Sequence, residues 1–393
     1  MQPRDRVLTA LAHHQPDRNP VDFLATPEIW ARLAEHLHID PVELTDTQFF
    51  DPQWEAILRA LQVDCRVVSY DQFCAPPEKA LKPAAKQEWW KALSRSTPSR
   101  MWRQYTPDGV YYDIWGHQIA IVSNASGAYE QFTVFPLQNA ESVEELHNHP
   151  WPEPDWFDFT PLRGVIQQIN QERQHHIRFR IGSVFEIAWQ LRGMQEFLVD
   201  LATDPDLPCY IMDRLTEVYV ENTRRALTLA GDSIDMVYFY DDVATQQSLM
   251  ISQTMWRKYI KPYHARLIEV AQAFNKPVMY HCDGAIAPLI PELLDMGVNV
   301  LNPVQADAKG MEPATLKSQY GDRLSFHGGI DIIETLPRGT VEKVVAEVRE
   351  RVRVLGNQGG YILASSHHIQ SDTPLANVLA MYDLENRRHI ESN

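Results

Sequence analysis

From residue 236 onward the chain alternates short β-branched or aromatic runs with longer stretches of helical periodicity, and this alternation restricts its fold more than any other feature. Residues 236–240 (MVYFY), 277–281 (PVMYH), 299–302, 324–327 and 361–364 read as strands. Segments 252–274, 285–295, 313–320, 340–355 and 374–388 read as helices that follow them. Successive strands joined by helices must run parallel, because a parallel pair needs a long crossover where an antiparallel pair needs only a tight turn. The first half adds a strand at 21–24 behind an amphipathic helix at 4–13, one at 65–70 behind a helix containing 54–61, and one at 179–184. Strand starts at 21, 65, 179, 236, 277, 299, 324 and 361 predict an α/β fold, a (β/α)8 TIM barrel forming a single domain over residues 1–393. A doubly wound sheet would carry a GxGxxG turn after a strand, and none is present.

Residues 76–161 break the rhythm. They are rich in Trp, Tyr and Pro, with a β-hairpin or small meander read at 109–135 and an extended loop at 150–156 (PWPEPDW). An aromatic insertion of this kind at one end of a barrel serves as a lid, a substrate-contacting wall or a homodimer contact.

Charge excludes whole classes of partner. Lys plus Arg is 36 and Asp plus Glu is 52, a net charge of −16, which repels nucleic acid and anionic membrane surfaces. No run of 18 apolar residues occurs, and the N-terminal residues lack the apolar core of a secretion signal. The four cysteines (Cys65, Cys74, Cys209, Cys282) form no CxxC pair, and the reading is a reduced, cytoplasmic protein.

In a parallel barrel the reactive groups come from the C-terminal ends of strands. Polar residues recur there: Asp22, Glu186, Asp241 and Asp242, His281 and Asp283, Asn302, His327 and Asp331, and Ser365 to His368. In HCDG (281–284), strand alternation puts His281 and Asp283 on one face and turns Cys282 away. With His367 they would supply three ligands to Zn²⁺ and leave a position open, the catalytic pattern; alternatively, His281 and Asp283 hydrogen-bond each other or a substrate. Asp241 and Asp242 face opposite sides, so at most one enters the pocket, where it could bind a proton, a cationic group or a metal-bound water; the alternative is a helix N-cap followed by a polar loop. The catalytic candidates are Asp241, Asp242, His327 and His367. The substrate-binding candidates are Asp22, Glu186, Arg192, Asn302 and Asp331, with a helix-surface ion pair as the other role open to Arg192. Of His367 and His368, one is expected in the site and the other in solvent. His147, His149, His175 and His176 lie in loop-like sequence and are expected exposed.

These segments resemble the uroporphyrinogen decarboxylase superfamily. The resemblance runs through RDRVLTALAHHQPDRNPVDF at the start, GSVFEIAWQLRG at 182–193, the stretch 241–268, HCDGAIAPLIPELLDMGVNVLNPVQADAKGM at 281–311, FHGGIDIIETLPRGT at 326–340 and 359–382. It covers nearly the whole chain, least securely at 76–161, and it too implies a (β/α)8 barrel. The superfamily holds true uroporphyrinogen decarboxylases and zinc-dependent methyltransferases that work with corrinoid proteins. The decarboxylases carry an Arg-rich RQAGRY-like loop, where this chain reads LATPEIWARL, and a GNLDP-type motif, where it reads GGIDI at 328–332. The methyltransferases carry a zinc-ligating HxC; position 281 matches its His, and Asp283 takes the place of its Cys. A carboxylate is a harder ligand than a thiolate and leaves a more Lewis-acidic ion, suiting an alkoxide, ether or amine.

The resemblance therefore implies methyl transfer between a small methylated substrate and a corrinoid carried by a separate protein, since no DxHxxG-type sequence is present. One alternative is decarboxylation of a tetrapyrrole or small acid without a cofactor, with Asp22 or Asp242 on pyrrole N–H groups. Another is a non-catalytic tetrapyrrole- or corrinoid-binding protein on the same scaffold.

Overall fold

The computed structural model describes residues 1–43, 49–80, 86–91, 100–106, 110–124, 127–383 and 385. In chain order the strands are β1 (Cys65–Ser69), β2 (Lys86–Lys91), β3 (Arg100–Tyr105), β4 (Tyr111–Tyr112), β5 (Gln118–Asn124), β6 (Gly127–Val134), β7 (His176–Gly182), β8 (Met236–Tyr240), β9 (Val278–His281), β10 (Val300–Val304), β11 (Ser325–Ile330) and β12 (Tyr361–Ser365). Seven of them form a curled parallel sheet in the order β1-β7-β8-β9-β10-β11-β12, with helices between and outside them. The alternation read from the sequence is thus an α/β fold with a parallel sheet.

The eighth expected strand, at 21–24, is not a ladder strand. Residues 20–25 lie between the two edges of the sheet and touch each sparingly. Asp22 N–H donates to Leu363 O (2.9 Å) and Leu363 N–H to Pro20 O (2.9 Å), while Asp64 N–H donates to Val21 O (3.0 Å) on the other side. Regular pairing fails for a local reason. Pro20 has no N–H, and the N–H of Val21 goes to the Asp64 carboxylate (2.8 Å) instead of a strand carbonyl. Asp64 is itself held, fully buried, by Arg6 (2.6 Å) and Arg18 (2.7 Å).

β7 begins at His176, three residues before the expected start. Its sequence HIRFRIG alternates with period two. Ile177, Phe179 and Ile181 join the hydrophobic core, whereas Arg178 and Arg180 point to the concave face of the curled sheet and line its cavity. His175 and His176 are consequently buried, against the expectation that they are exposed. His147 is exposed as expected and His149 half-buried.

The helix Pro3–Leu11 closes the N-terminal end of the sheet: Val7 packs on Cys65 and Ile362, and Leu11 on Met236, Met279 and Val300. That leaves the C-terminal strand ends as the accessible mouth. The single helix expected at 252–274 is interrupted by a π-helical turn, Trp256–Ile260, before Lys261–Gln272. Pro262 accounts for it, because proline lacks an N–H and its ring crowds the carbonyl four residues back, so the turn widens. Among the described residues no helix is long and apolar enough to cross a membrane.

Between β1 and β7 in the chain, strands β2 to β6 form an antiparallel sheet in sequential order. Its β4–β6 part is the meander expected at 109–135, and β2 and β3 extend it.

Candidate functional site

A cavity of about 310 Å³ opens over the C-terminal strand ends. One wall comes from the parallel sheet: Arg178 and Arg180 on β7, Tyr238 and Tyr240 on β8, His281 on β9, Asn302 on β10 and His327 on β11. The facing wall comes from the antiparallel sheet, through Trp102 and Arg103 on β3, Trp115, and Phe132 on β6.

A chain of hydrogen bonds runs through the strand ends. The buried carboxylate of Asp22 pairs with Arg178 and accepts from His327 Nε2 (2.9 Å). Burial would raise its pKa, yet Arg178 and His327 hold it well below the usual carboxylate range. Asn302 Nδ2 stands 2.5 Å from His327 Nδ1, and Asn302 Oδ1 stands 2.6 Å from His281 Nδ1. Strand register makes the last contact, since His281 and Asn302 are direct partners across β9 and β10. Burial pushes the His327 imidazole down. For His281 burial acts the same way, but Asp283 and Asp242 outweigh it and raise the pKa.

His281 Nε2 emerges into a cluster of ligand-type atoms. It lies 3.8 Å from Asp283 Oδ1 and 3.7 Å from Asp242 Oδ1, and His367 Nε2 lies 3.6 Å from Asp283 Oδ2. His281, Asp283 and His367 each offer one ligand atom, all within 4.8 Å of one another, the one such group among the described residues. Asp283 Oδ1 is buried without a hydrogen-bond partner. Ligands about 2.1 Å from a tetrahedral Zn²⁺ stand roughly 3.4 Å apart, so the donor set, already within 4.8 Å, fits such an ion once it draws inward. Cys282 faces the other way, buried, with its sulfur 3.4 Å from Val243 N. Gly284 lets the chain turn immediately after the cluster: its φ is +85°, and a Cβ there would sit 2.4 Å from Thr245 O.

Asp242, rather than Asp241, faces the cavity, and its carboxylate accepts the Asp283 N–H (2.8 Å). Burial raises its pKa. Glu186 lines the cavity and accepts from Gln190 (3.0 Å). His367 and His368 both line it, against the expectation of one inside and one outside, because β12 ends at Ser365 and the segment after it is not extended.

Three expected site residues lie elsewhere. Asp241 is fully buried behind the strand, where its carboxylate accepts from Ser183 Oγ (2.7 Å) and from the N–H groups of Val184 (3.2 Å), Phe185 (2.8 Å) and Glu186 (2.7 Å). It caps the helix Phe185–Arg192 and is no proton carrier for the cavity. Asp331 does similar work at the turn after β11, accepting from Ile333 N (2.7 Å) and Thr335 N (3.1 Å). Arg192 binds Asp200 (2.8 Å) and the carbonyls of Leu137 (2.9 Å), Gln138 (2.7 Å) and Ala140 (2.7 Å), tying the segment that follows the antiparallel sheet to the helix Phe185–Arg192. Replacing Arg192 with Met is expected to lower stability by about 2 kcal/mol in urea unfolding while leaving KM unchanged.

Arg178, Arg180 and the individual wall residues Trp102, Trp115 and Phe132 are not singled out by the sequence reading, although the aromatic segment that holds the last three is. The period-two charges of HIRFRIG are the signal that marks the two arginines.

Residues 132–387 match the family model described as uroporphyrinogen decarboxylase (URO-D). The methylated-thiol–coenzyme M methyltransferase of Methanosarcina mazei is 24% identical over 196 residues, which are 50% of this chain and 49% of that protein. The chain thus spans about half the length of the curated relative it matches. A solved structure of a methyltransferase from Methanosarcina mazei shares the fold, with a TM-score of 0.62 at 19% identity and 98% of both chains covered.

Proposed function

The chain belongs to the uroporphyrinogen decarboxylase (URO-D) family, and we propose that within it the protein transfers a methyl group between a small methylated substrate and a corrinoid carried by a separate protein. The observation that carries this reading is the His281–Asp283–His367 cluster at the cavity, with a buried Asp283 oxygen that no protein group satisfies. Those three residues would hold a Zn²⁺-type ion, which when bound stabilises the charge that develops on the substrate heteroatom as the methyl group moves.

The protein's own groups do the rest. Asn302 orients His281, and Asp242 holds the loop that carries Asp283 through its backbone N–H. The aromatic wall excludes water from the reacting end of the substrate. Arg180, braced by Ser69 Oγ (2.9 Å), and Glu186 supply polar contacts for its remainder. A cavity of about 310 Å³ sits at the small end of ligand pockets, which run from about 300 to 1,000 Å³. It suits a small methylated molecule better than a tetrapyrrole.

The name of the 24%-identical relative points to the same chemistry. Purified protein is expected to hold about one zinc per chain and to form methylcobalamin from cob(I)alamin with a methylated ether, amine or thiol under anaerobic conditions. Turnover of uroporphyrinogen, with none of any methylated compound, would overturn the proposal.

A further inference from the structure

We infer that Asp22, His327 and Asn302 are positioning residues that set the tautomer of His281, so that its Nε2 presents a lone pair to the ligand cluster. The inference rests on the metal reading above and assigns these three residues a role other than substrate contact.

The direction of the hydrogen-bond chain follows from its far end. Asp22 is buried against Arg178 and held ionised, so it only accepts. His327 Nε2, 2.9 Å away, must therefore carry the proton and donate. Arg178 Nη1 also lies 3.4 Å from that nitrogen, a longer contact in which both groups would be donors. With Nε2 protonated, neutral His327 has its lone pair on Nδ1, and the group 2.5 Å from it must be the NH₂ of Asn302. That fixes the amide: its carbonyl oxygen faces His281 Nδ1 at 2.6 Å and accepts a proton from it. A neutral His281 protonated on Nδ1 has its free lone pair on Nε2, the atom beside Asp283 and His367. Reversing any one link places two donors or two acceptors face to face in a buried setting, which costs more than a lost hydrogen bond. The ion pair at the base of the cavity thus determines the ligand character of a nitrogen three side chains away. This is an outer-shell arrangement of the kind that orients metal-binding imidazoles.

The test reads the tautomer directly. In full-length protein labelled with ¹⁵N-histidine, at neutral pH and with or without zinc, His281 is expected to show a protonated Nδ1. Zinc affinity, measured by competition with a chromophoric chelator, is expected to fall about 10- to 100-fold in Asn302→Leu. Asn302→Asp keeps an acceptor for the His281 proton and is expected to retain most of the affinity, a rescue that a merely space-filling role would not give. A neutral His281 with its proton on Nε2 and a bare Nδ1, or an Asn302→Leu protein that binds zinc like the wild type, overturns the inference. Wild-type protein that binds no zinc overturns the metal reading instead, and the metal-free tautomer still decides the chain.

Discussion

Replacing His281 with alanine is expected to strip the protein of zinc and to lower methyl transfer by about three orders of magnitude, with little loss of fold. The imidazole sits at the very end of β9 with 14% of its side chain exposed, and its neighbours are polar groups and not core. Removing it leaves Asp283 and His367, too few for a catalytic zinc site, and leaves Asn302 Oδ1 without its donor. Metal content by elemental analysis and the rate of methylcobalamin formation check the two halves separately. Phe132→Ala is the matched control: the same cavity but no place in the cluster, so metal content is expected to stay unchanged. A His281→Ala protein that kept both zinc and rate would show that the cluster is not the site.

Asp241→Ala is expected to be the most destabilising single change at the strand ends, costing about 4 kcal/mol. Five donors converge on this carboxylate: Ser183 Oγ, three successive backbone N–H groups at the start of the helix Phe185–Arg192, and His264 Nε2 at 2.7 Å. Four of the five are buried and the Glu186 N–H is partly so, so most are left unsatisfied when the acceptor goes. Urea unfolding would show the loss as a lower midpoint. Activity is expected to track the folded fraction, because Asp241 touches neither the cavity nor the cluster. A stable Asp241→Ala protein with no activity would return the residue to the chemistry.

The contrast between these adjacent carboxylates shows where sequence reading runs out. That Asp241 and Asp242 face opposite ways follows from strand alternation; which of them faces inward depends on how the sheet curls, and no local pattern carries that. Arg192 and Asp331 mislead for a related reason. Their residue types suit ligand binding, but carbonyls brought from 52 to 55 residues away, or N–H groups of the next turn, already satisfy them. No apolar run marks Arg178, because the concave face of the curled sheet is lined with charge. Asp22 illustrates both sides: its place near a strand end was legible, while its partners Arg178 and His327 come from positions 156 and 305 residues away.

Alternation of side chains is a property of a few consecutive peptide units. The sequence by itself therefore determined that His281 and Asp283 share a face, that Cys282 turns from it, and that strands and helices must alternate in a parallel sheet. Convergence of residues distant in the chain is a property of closure. Only the tertiary structure could decide that His367 joins that pair, that the aromatic segment walls the cavity, and that the Asp22–Arg178 pair reaches His281 through two intervening side chains. Each of those contacts depends on long-range packing that sets where a strand end points, and no stretch of sequence encodes that on its own.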